Sequence, residues 1–507
     1  MPTVLTLGCV ALVVLYGTFY ALLHATQNKR EPRLLPGTIP FLDPGIGIAR
    51  NKVDYLVNLR KRYRLPIHTM RMPFQRFYIV QSPQLIQTVQ NKTNISTFVP
   101  TLLDFGMLFS GLNKESQKVL RGAFDINGNG FTISVHKYLT AGPTLQVATR
   151  TAIDNLSASV PSGFATSGEI GLLENIRHHL TLALTGAVYG PENPYDDPDI
   201  EASWQEFVPG ISHLLYSPLP SLTARKCLRA RGRVIDAFKK YFETDGHLQA
   251  FPMIAEMFEA NKGHGLSASE AAKMEMATSL AMLSSSAITT FWLMFHVLSN
   301  PSALSDCRQE LLGLVVNEAE TNTGHVKVVD LATIKAKCPT LAAMLHETLR
   351  YHSTVINVKK VHHDTTLASQ YYLKKGGILM IPGTAVHHDP EVWGHGAETF
   401  DHRRFLNPEG HKKLSSTSAF RPFGAGATMC PGRHFSTNTI LSLVAMVLLQ
   451  FEIRPVEGRW SMPTKRNADL WNAMPKPDND VRVRIARRKD PGTAQWKFVW
   501  GSTVQGM

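Results

Sequence analysis

The chain has little cysteine and places it poorly for cross-linking. Its five cysteines in 507 residues (Cys9, Cys227, Cys307, Cys338 and Cys430) are odd in number, widely scattered and free of any C-x-x-C pair. That argues against a disulfide framework and against a zinc site, and it fits a reducing, cytosol-facing compartment. Internal repeats, low-complexity tracts and a long central linker are also missing, so one large catalytic domain is the simplest reading of this length. No basic run is interleaved with stacking aromatics. The formal charge of +13 comes from dispersed Lys and Arg, which speaks against nucleic acid and for an acidic membrane surface or an acidic protein partner. Sequons at Asn91, Asn94 and Asn155 are expected to stay unmodified on a cytosolic domain.

Charge is absent from Val4 to Leu23, about 20 residues, which is enough to span the hydrocarbon core as a helix. Lys29, Arg30 and Arg33 follow, and nothing basic precedes the run beyond the amino terminus. The positive-inside bias therefore keeps the rest of the chain in the cytosol. A cleaved signal peptide would want a basic start, a shorter apolar core and a small-residue cleavage site. An uncleaved membrane anchor over residues 1–28 is expected instead. Pro32, Pro36, Pro40 and Pro44 resist helix and predict a semi-stiff, proline-rich hinge over 29–44, ahead of a catalytic domain over 45–507.

Near the C-terminus runs Phe423-Gly424-Ala425-Gly426-Ala427-Thr428-Met429-Cys430-Pro431-Gly432, followed by an apolar segment, Phe435 to Leu449, that reads as a helix. Glycines let backbone and sulfur approach a flat cofactor closely. The helix turns its positive end toward the sulfur and favours thiolate over thiol. An anionic sulfur held this way is the axial ligand that haem oxygenation chemistry requires. The plainer alternative is a glycine loop before a buried helix, with Cys430 as a small hydrophobe. Four positions matching at fixed offsets outweigh it. The segment resembles the haem-ligating signature of the cytochrome P450 family, Phe-x-x-Gly-x-x-x-Cys-x-Gly. That resemblance implies haem b (iron protoporphyrin IX) with Cys430 as the metal ligand, and Phe423, Gly424, Gly426 and Gly432 shaping the cofactor loop.

Ser267-x-x-Glu270 is a capping-box pattern, and the sequence behind it stays helix-compatible until Asn300-Pro301, about 30 residues and nearly apolar from Met276 onward. A helix apolar all round belongs inside a protein. This one resembles the family's long central helix across the oxygen-binding face of the haem. Most relatives carry there an acid followed by an alcohol, which relay protons. The family spacing from Pro301 puts those positions at Ser284 and Ser285, so alcohols abound and the carboxylate is missing. The serines are expected either to bond back onto the helix, or to let Ser285, assisted by Thr289, organise a water chain that delivers protons. The Thr290-Phe291-Trp292 continuation is similar to the sterol 7-hydroxylase and prostacyclin synthase branch, which holds both monooxygenases and an isomerase.

Pro339 to Tyr351 reads as a helix on which Glu347 and Arg350, three apart, share one face. On their own they would make an exposed pair worth little. Phe400 to Leu406 resembles the family's Pro-Glu-Arg-Phe segment, with Arg404-Phe405 kept, and His387 to Trp393 also looks like family sequence. The resemblance implies a buried triad of Glu347, Arg350 and Arg404 that fixes the loop carrying Cys430. It further implies Arg121 and Lys360 (or Lys359) as partners of the haem propionates. Gln117 stands where a tryptophan is common, and Thr428 where Arg or His is usual, which leaves Arg433 as a substitute contact.

The expected fold is mainly α with a smaller β portion, a cytochrome P450 fold preceded by an N-terminal transmembrane helix. The expected enzyme is a monooxygenase of the endoplasmic-reticulum membrane. It would use O2 and electrons from an NADPH-cytochrome P450 reductase to hydroxylate or epoxidise a lipophilic sterol, terpenoid or other specialised metabolite. A haem-thiolate isomerase or dehydratase acting on a peroxide or epoxide is the alternative. A haem sensor would want a separate signalling module, and only about 60 residues follow the cysteine helix, including the strand-like Val481 to Ile485. The His-His-Asp triplets at 362–364 and 387–389 are poor non-haem iron sites, because adjacent histidines on a strand face opposite ways. Residues 95–115 and 200–220 are the candidate substrate loops.

Overall fold

The computed structural model describes residues 2–91, 106–107, 109–127, 130–165, 168–217, 219–321, 324–406, 418–426, 429–468, 471–488 and 495–501. Helices dominate, and the strands gather into small sheets. In the largest, Ile67–Met72 pairs antiparallel with Gln75–Val80, which runs parallel to Ile378–Pro382, which pairs antiparallel with Ile356–Lys360. The strand-like piece near the C-terminus is a strand, Arg482–Arg487, between Phe451–Pro455 and Glu169–Gly171.

The apolar long helix is buried, as its composition requires, but it is not continuous. It runs as Ala268–Leu283 and Ser286–Leu298, broken at Ser284-Ser285. Hydroxyls compete with the backbone here. Thr289 Oγ1 donates to Ser285 O (2.8 Å), Thr290 Oγ1 to Ser286 O (2.9 Å) and Ser286 Oγ to Met282 O (3.4 Å). Back-bonding of this kind to carbonyls four residues earlier loosens the ladder and bends a helix. At its start Ser267 Oγ accepts the Glu270 N–H (3.3 Å). The Glu270 carboxylate turns instead to Asn113 N (3.0 Å) and Lys273 Nζ (2.5 Å).

Every residue from Ser286 to Leu298 is buried. This half shares one core with the cysteine helix Arg433–Gln450 and with helix Pro339–His352. Trp292, fully buried, stacks on His352 (4.1 Å between rings) and satisfies its indole N–H on Pro475 O (2.9 Å). Side chains of this size each contribute roughly 1.5–3 kcal/mol by burial.

The N-terminal helix Pro2–Ala25 contains a 20-residue apolar window, Thr6–Ala25, that stands clear of the protein and is long enough to cross a membrane. Its end is tied down. Arg76 Nη2 (2.9 Å) and Lys374 Nζ (3.0 Å) both donate to Thr26 O. The same two cations pair with the buried Glu31 carboxylate (3.0 and 3.7 Å), which also accepts from Tyr78 OH (2.6 Å) and Asn28 N (2.7 Å). The proline-rich segment is therefore bonded to the main sheet along its first residues. Thr69 N–H adds a bond to Arg33 O (2.8 Å).

Candidate active site

The cysteine loop is held by its own backbone. Gly424 (φ 78°) and Gly426 (φ 65°) take left-handed conformations that favour glycine. Cys430 N–H closes the loop on Phe423 O (2.8 Å), and Met429 N–H bonds Gly426 O (3.1 Å). A Cβ on Gly426 would meet no atom within 4 Å, so the loop faces open space there. The backbone of Gly432 and Arg433, at the start of the cysteine helix, exerts a field on Cys430 that favours the anion. Surrounding protein desolvates this thiol and raises its pKa, while the Gly432 and Arg433 backbone and the Arg433 charge oppose the rise. The contrast is with Cys338, whose thiol burial pushes up to about 12. Cys227, Cys307 and Cys338 are buried, whereas Cys430 keeps an exposed side. A sulfur exposed on one side, at the N-terminus of a helix and beyond a loop of left-handed glycines, fits an axial thiolate, so the residues present suit the haem the sequence implies.

A buried charged cluster centres on Glu347. Glu347 and Arg350 are fully buried. Arg350 Nε and Nη2 each meet a Glu347 oxygen at 2.7 Å, the planar fork matching the carboxylate. Arg350 also donates to His387 O (2.7 Å), Ala397 O (2.7 Å) and Thr399 O (3.0 Å). Arg404 Nε sits 3.2 Å from both Glu347 oxygens, and Asp401 N–H adds a bond at 2.9 Å. The three side chains inferred from helix spacing and segment resemblance thus converge on one carboxylate.

The helix break lies against the start of the cysteine helix, where the Ser286 and Ser436 hydroxyls are hydrogen-bonded at 3.0 Å. Ser285 Oγ approaches Asn472 Oδ1 at 3.5 Å. The same Oδ1 accepts the Met474 N–H (3.3 Å), and Thr354 Oγ1 holds the Asn472 carbonyl (2.8 Å). Asn472 was not legible in the sequence, and no local pattern marks it: its partner lies 187 residues away. Thr289 sits one turn beyond, its hydroxyl donated to Ser285 O, so it buttresses the break.

The remaining predicted residues are dispersed. Arg121 is exposed on helix Lys114–Asn127. Lys360 is exposed at the end of its strand, and Lys359 beside it is half-buried. Arg433 Nη1 turns to Cys430 O (3.1 Å). Thr428 and Ala427 lie outside the described residues, as do 95–105 and 108 of the first substrate loop, while 200–216 fall on helix Pro198–Tyr216. The histidine triplets are engaged elsewhere. Asp364 accepts Tyr372 OH (2.6 Å), His387 accepts Arg421 N–H (2.9 Å) and Asp389 pairs with Arg60.

A family model described as Cytochrome P450 matches residues 215–479. A protein of Hypoxylon pulicicidum named cytochrome P450 monooxygenase nodJ is 31% identical across 96% of this chain and 95% of its own length. The chain belongs to the cytochrome P450 family. The human 7-alpha-hydroxycholest-4-en-3-one 12-alpha-hydroxylase is 23% identical over 94% of the chain and 97% of its own length. The cholesterol 7-alpha-monooxygenase of Cricetulus griseus is 26% identical over 42% of the chain and 45% of its own length. Membership of the cytochrome P450 family makes this chain an oxygen-incorporating oxidoreductase and implies haem with a cysteine thiolate ligand.

Proposed function

We propose that this cytochrome P450 is anchored in the endoplasmic-reticulum membrane by helix Pro2–Ala25 and hydroxylates or epoxidises a lipophilic sterol or terpenoid. The Cys430 cradle carries the reading: the sulfur keeps an open side and stands at a helix N-terminus, whose field favours its anion against the desolvation that opposes it. The bound haem supplies dioxygen binding and reduction, with its sulfur ligand pushing electron density toward O–O cleavage. The chain's residues do the rest. Glu347, Arg350 and Arg404 hold the loop in register, and Ser285 with Asn472 positions a water or hydroxyl that passes protons inward. The apolar core around the helix break keeps bulk water out. Electrons would come from an NADPH-dependent reductase docking on the cysteine side.

The substrate class rests on the names of the relatives, which include sterol hydroxylases. A second reading, isomerisation of a peroxide or epoxide, is favoured by one observation: among the described residues no carboxylate bonds to the serines of the helix break, and such chemistry needs no proton relay. Titrating the ferric holoenzyme with sterols and terpenoids tests the substrate class. A blue shift of the Soret band at micromolar sterol or terpenoid supports it, and a shift only with short-chain peroxides removes it.

A further inference from the structure

Two arginines face each other where the N-terminal helix joins the domain. In the hairpin of Ile67–Met72 and Gln75–Val80, Arg71 stands directly opposite Arg76. Like charges so placed destabilise a strand pair unless an anion offsets them. The carboxylate whose charge reaches Arg71 is Glu31, and it is already engaged. Arg76 and Lys374 pair with it, and Tyr78 OH and Asn28 N–H bond to it. Arg71 itself makes no hydrogen bond or ion pair among the described residues. Its Nε and Nη1 are buried without an acceptor, although a guanidinium offers its donors in a fixed fork that suits a phosphate or carboxylate. Lys29, Arg30 and Arg33, exposed on the adjoining hinge, add to the positive excess.

The height of Arg71 ties the missing anion to a lipid. Its guanidinium lies over the Phe41 ring, 5.4 Å from the centroid. Phe41 in turn meets Phe19 of the N-terminal helix edge-on, at 6.3 Å between rings. Phe19 lies inside the apolar window Thr6–Ala25, six residues before its end, or about 9 Å at the rise of a helix. The hinge thus folds back alongside the apolar window and carries a cation to the level where headgroups meet hydrocarbon. Apolar side chains flank it there. Ile39 and Leu42 are 42% and 49% exposed, and Phe74 at the hairpin tip is fully exposed. Exposed aliphatic and aromatic surface beside an arginine suits acyl chains beneath a phosphate, and basic groups at a membrane surface attract anionic lipids.

We propose that Arg71 and Phe41 form a lipid site at this junction, in which the Arg71 fork holds the phosphate of an anionic phospholipid while its acyl chains run beside Phe19, Ile39 and Leu42. A choline headgroup would bring a cation against Arg76, Lys29 and Arg30, so the site selects an anionic headgroup over a zwitterionic one. The site rests on the reading of helix Pro2–Ala25 as a membrane anchor.

The test offers the full-length holoenzyme, in detergent, dioleoyl phosphatidic acid or dioleoyl phosphatidylcholine and counts retained lipid by native mass spectrometry. Phosphatidic acid should stay bound in preference to phosphatidylcholine. Arg71→Gln removes a charge-assisted contact and should weaken phosphatidic acid binding about ten- to a hundred-fold. The red-shifted Soret of the reduced CO complex should be unchanged in that variant. Should Arg71→Gln fail to fold, Phe41→Asp decides. Aspartate tolerates the left-handed backbone of Phe41 (φ 63°), and its carboxylate beside Arg71 should abolish retention. Undiminished retention in the deciding variant, or equal retention of the two lipids by the wild type, overturns the site. Displacement of the lipid by an equimolar amount of glycerophosphate would mark a soluble phosphate as the ligand and overturns it too. Carbonate washing of wild-type vesicles tests the anchor separately. Release of the chain overturns the anchor reading and the lipid site with it, whereas a retained chain without lipid preference overturns the lipid site alone.

Discussion

Glu275 should make the stability of this enzyme depend on pH, with a sign opposite to that of a salt-bridged carboxylate. It stands on the first half of the long helix, 3% exposed. It accepts one hydrogen bond from Tyr189 OH (3.0 Å), whose oxygen also meets Ser279 Oγ at 2.9 Å. No cation pairs with it among the described residues. Burial pushes its pKa up to about 7 from 4.5. The folded chain thus holds this proton more tightly than the unfolded chain. Below the unfolded value both forms are protonated and nothing is lost. Stability falls as pH rises from about 4.5 to about 7 and then levels, because above that both forms are ionised. At about 1.4 kcal/mol per pH unit, the accumulated cost is about 3 kcal/mol. Glu275→Gln keeps the shape and an acceptor for Tyr189 while removing the charge. Urea unfolding of both proteins across this range should show the variant gaining on the wild type until about pH 7 and running parallel above it. A difference that stays flat with pH would refute the argument, whatever its absolute size.

Other expectations follow from named contacts. Arg350→Met leaves Glu347 buried beside Arg404 alone and should cost about 3–5 kcal/mol, seen as lower thermal stability and weaker haem retention. Arg350→Lys should recover little of this, because an ammonium cannot reproduce the fork on Glu347. Cys430→Ala should abolish the red-shifted Soret band of the reduced CO complex, and an unchanged band would remove Cys430 as ligand. Ser285→Ala and Asn472→Ala should each uncouple NADPH consumption from product. If the two act as one unit the double variant should be scarcely worse than either alone, and additive losses would separate them. Glu31→Gln should open Lys29, Arg30 and Arg33 to trypsin in membrane vesicles, and cleavage at the wild-type rate would show that Glu31 does not hold this segment.

What the sequence could show was set by distance along the chain. The cysteine loop was legible because its glycines and sulfur lie within ten consecutive positions, Phe423 to Gly432. Glu347 and Arg350 were legible because three-residue spacing on a helix dictates a shared face. The break at Ser284-Ser285 was not, since serine is compatible with helix and the three hydroxyl-to-carbonyl bonds that gather there leave no local pattern. Asn472 and the Arg421–Asn357 pair depend on partners 187 and 64 residues away, which no periodicity encodes. Glu31 sits among prolines and charges that read as a spacer, yet its carboxylate is buried against Tyr78, 47 residues on. Nothing in the sequence marks Glu275 as buried, because the hydroxyl that meets it belongs to Tyr189, 86 residues away.

The measurement that bears most directly on the central claim is isotope incorporation. The holoenzyme would be combined in lipid vesicles with a reductase, NADPH and a panel of sterols and terpenoids under ¹⁸O₂, and product masses read. A product carrying one heavy oxygen, formed only when NADPH and reductase are both present, is the predicted result. A rearranged product formed from a peroxide or epoxide without reductase, and without heavy oxygen, would contradict it.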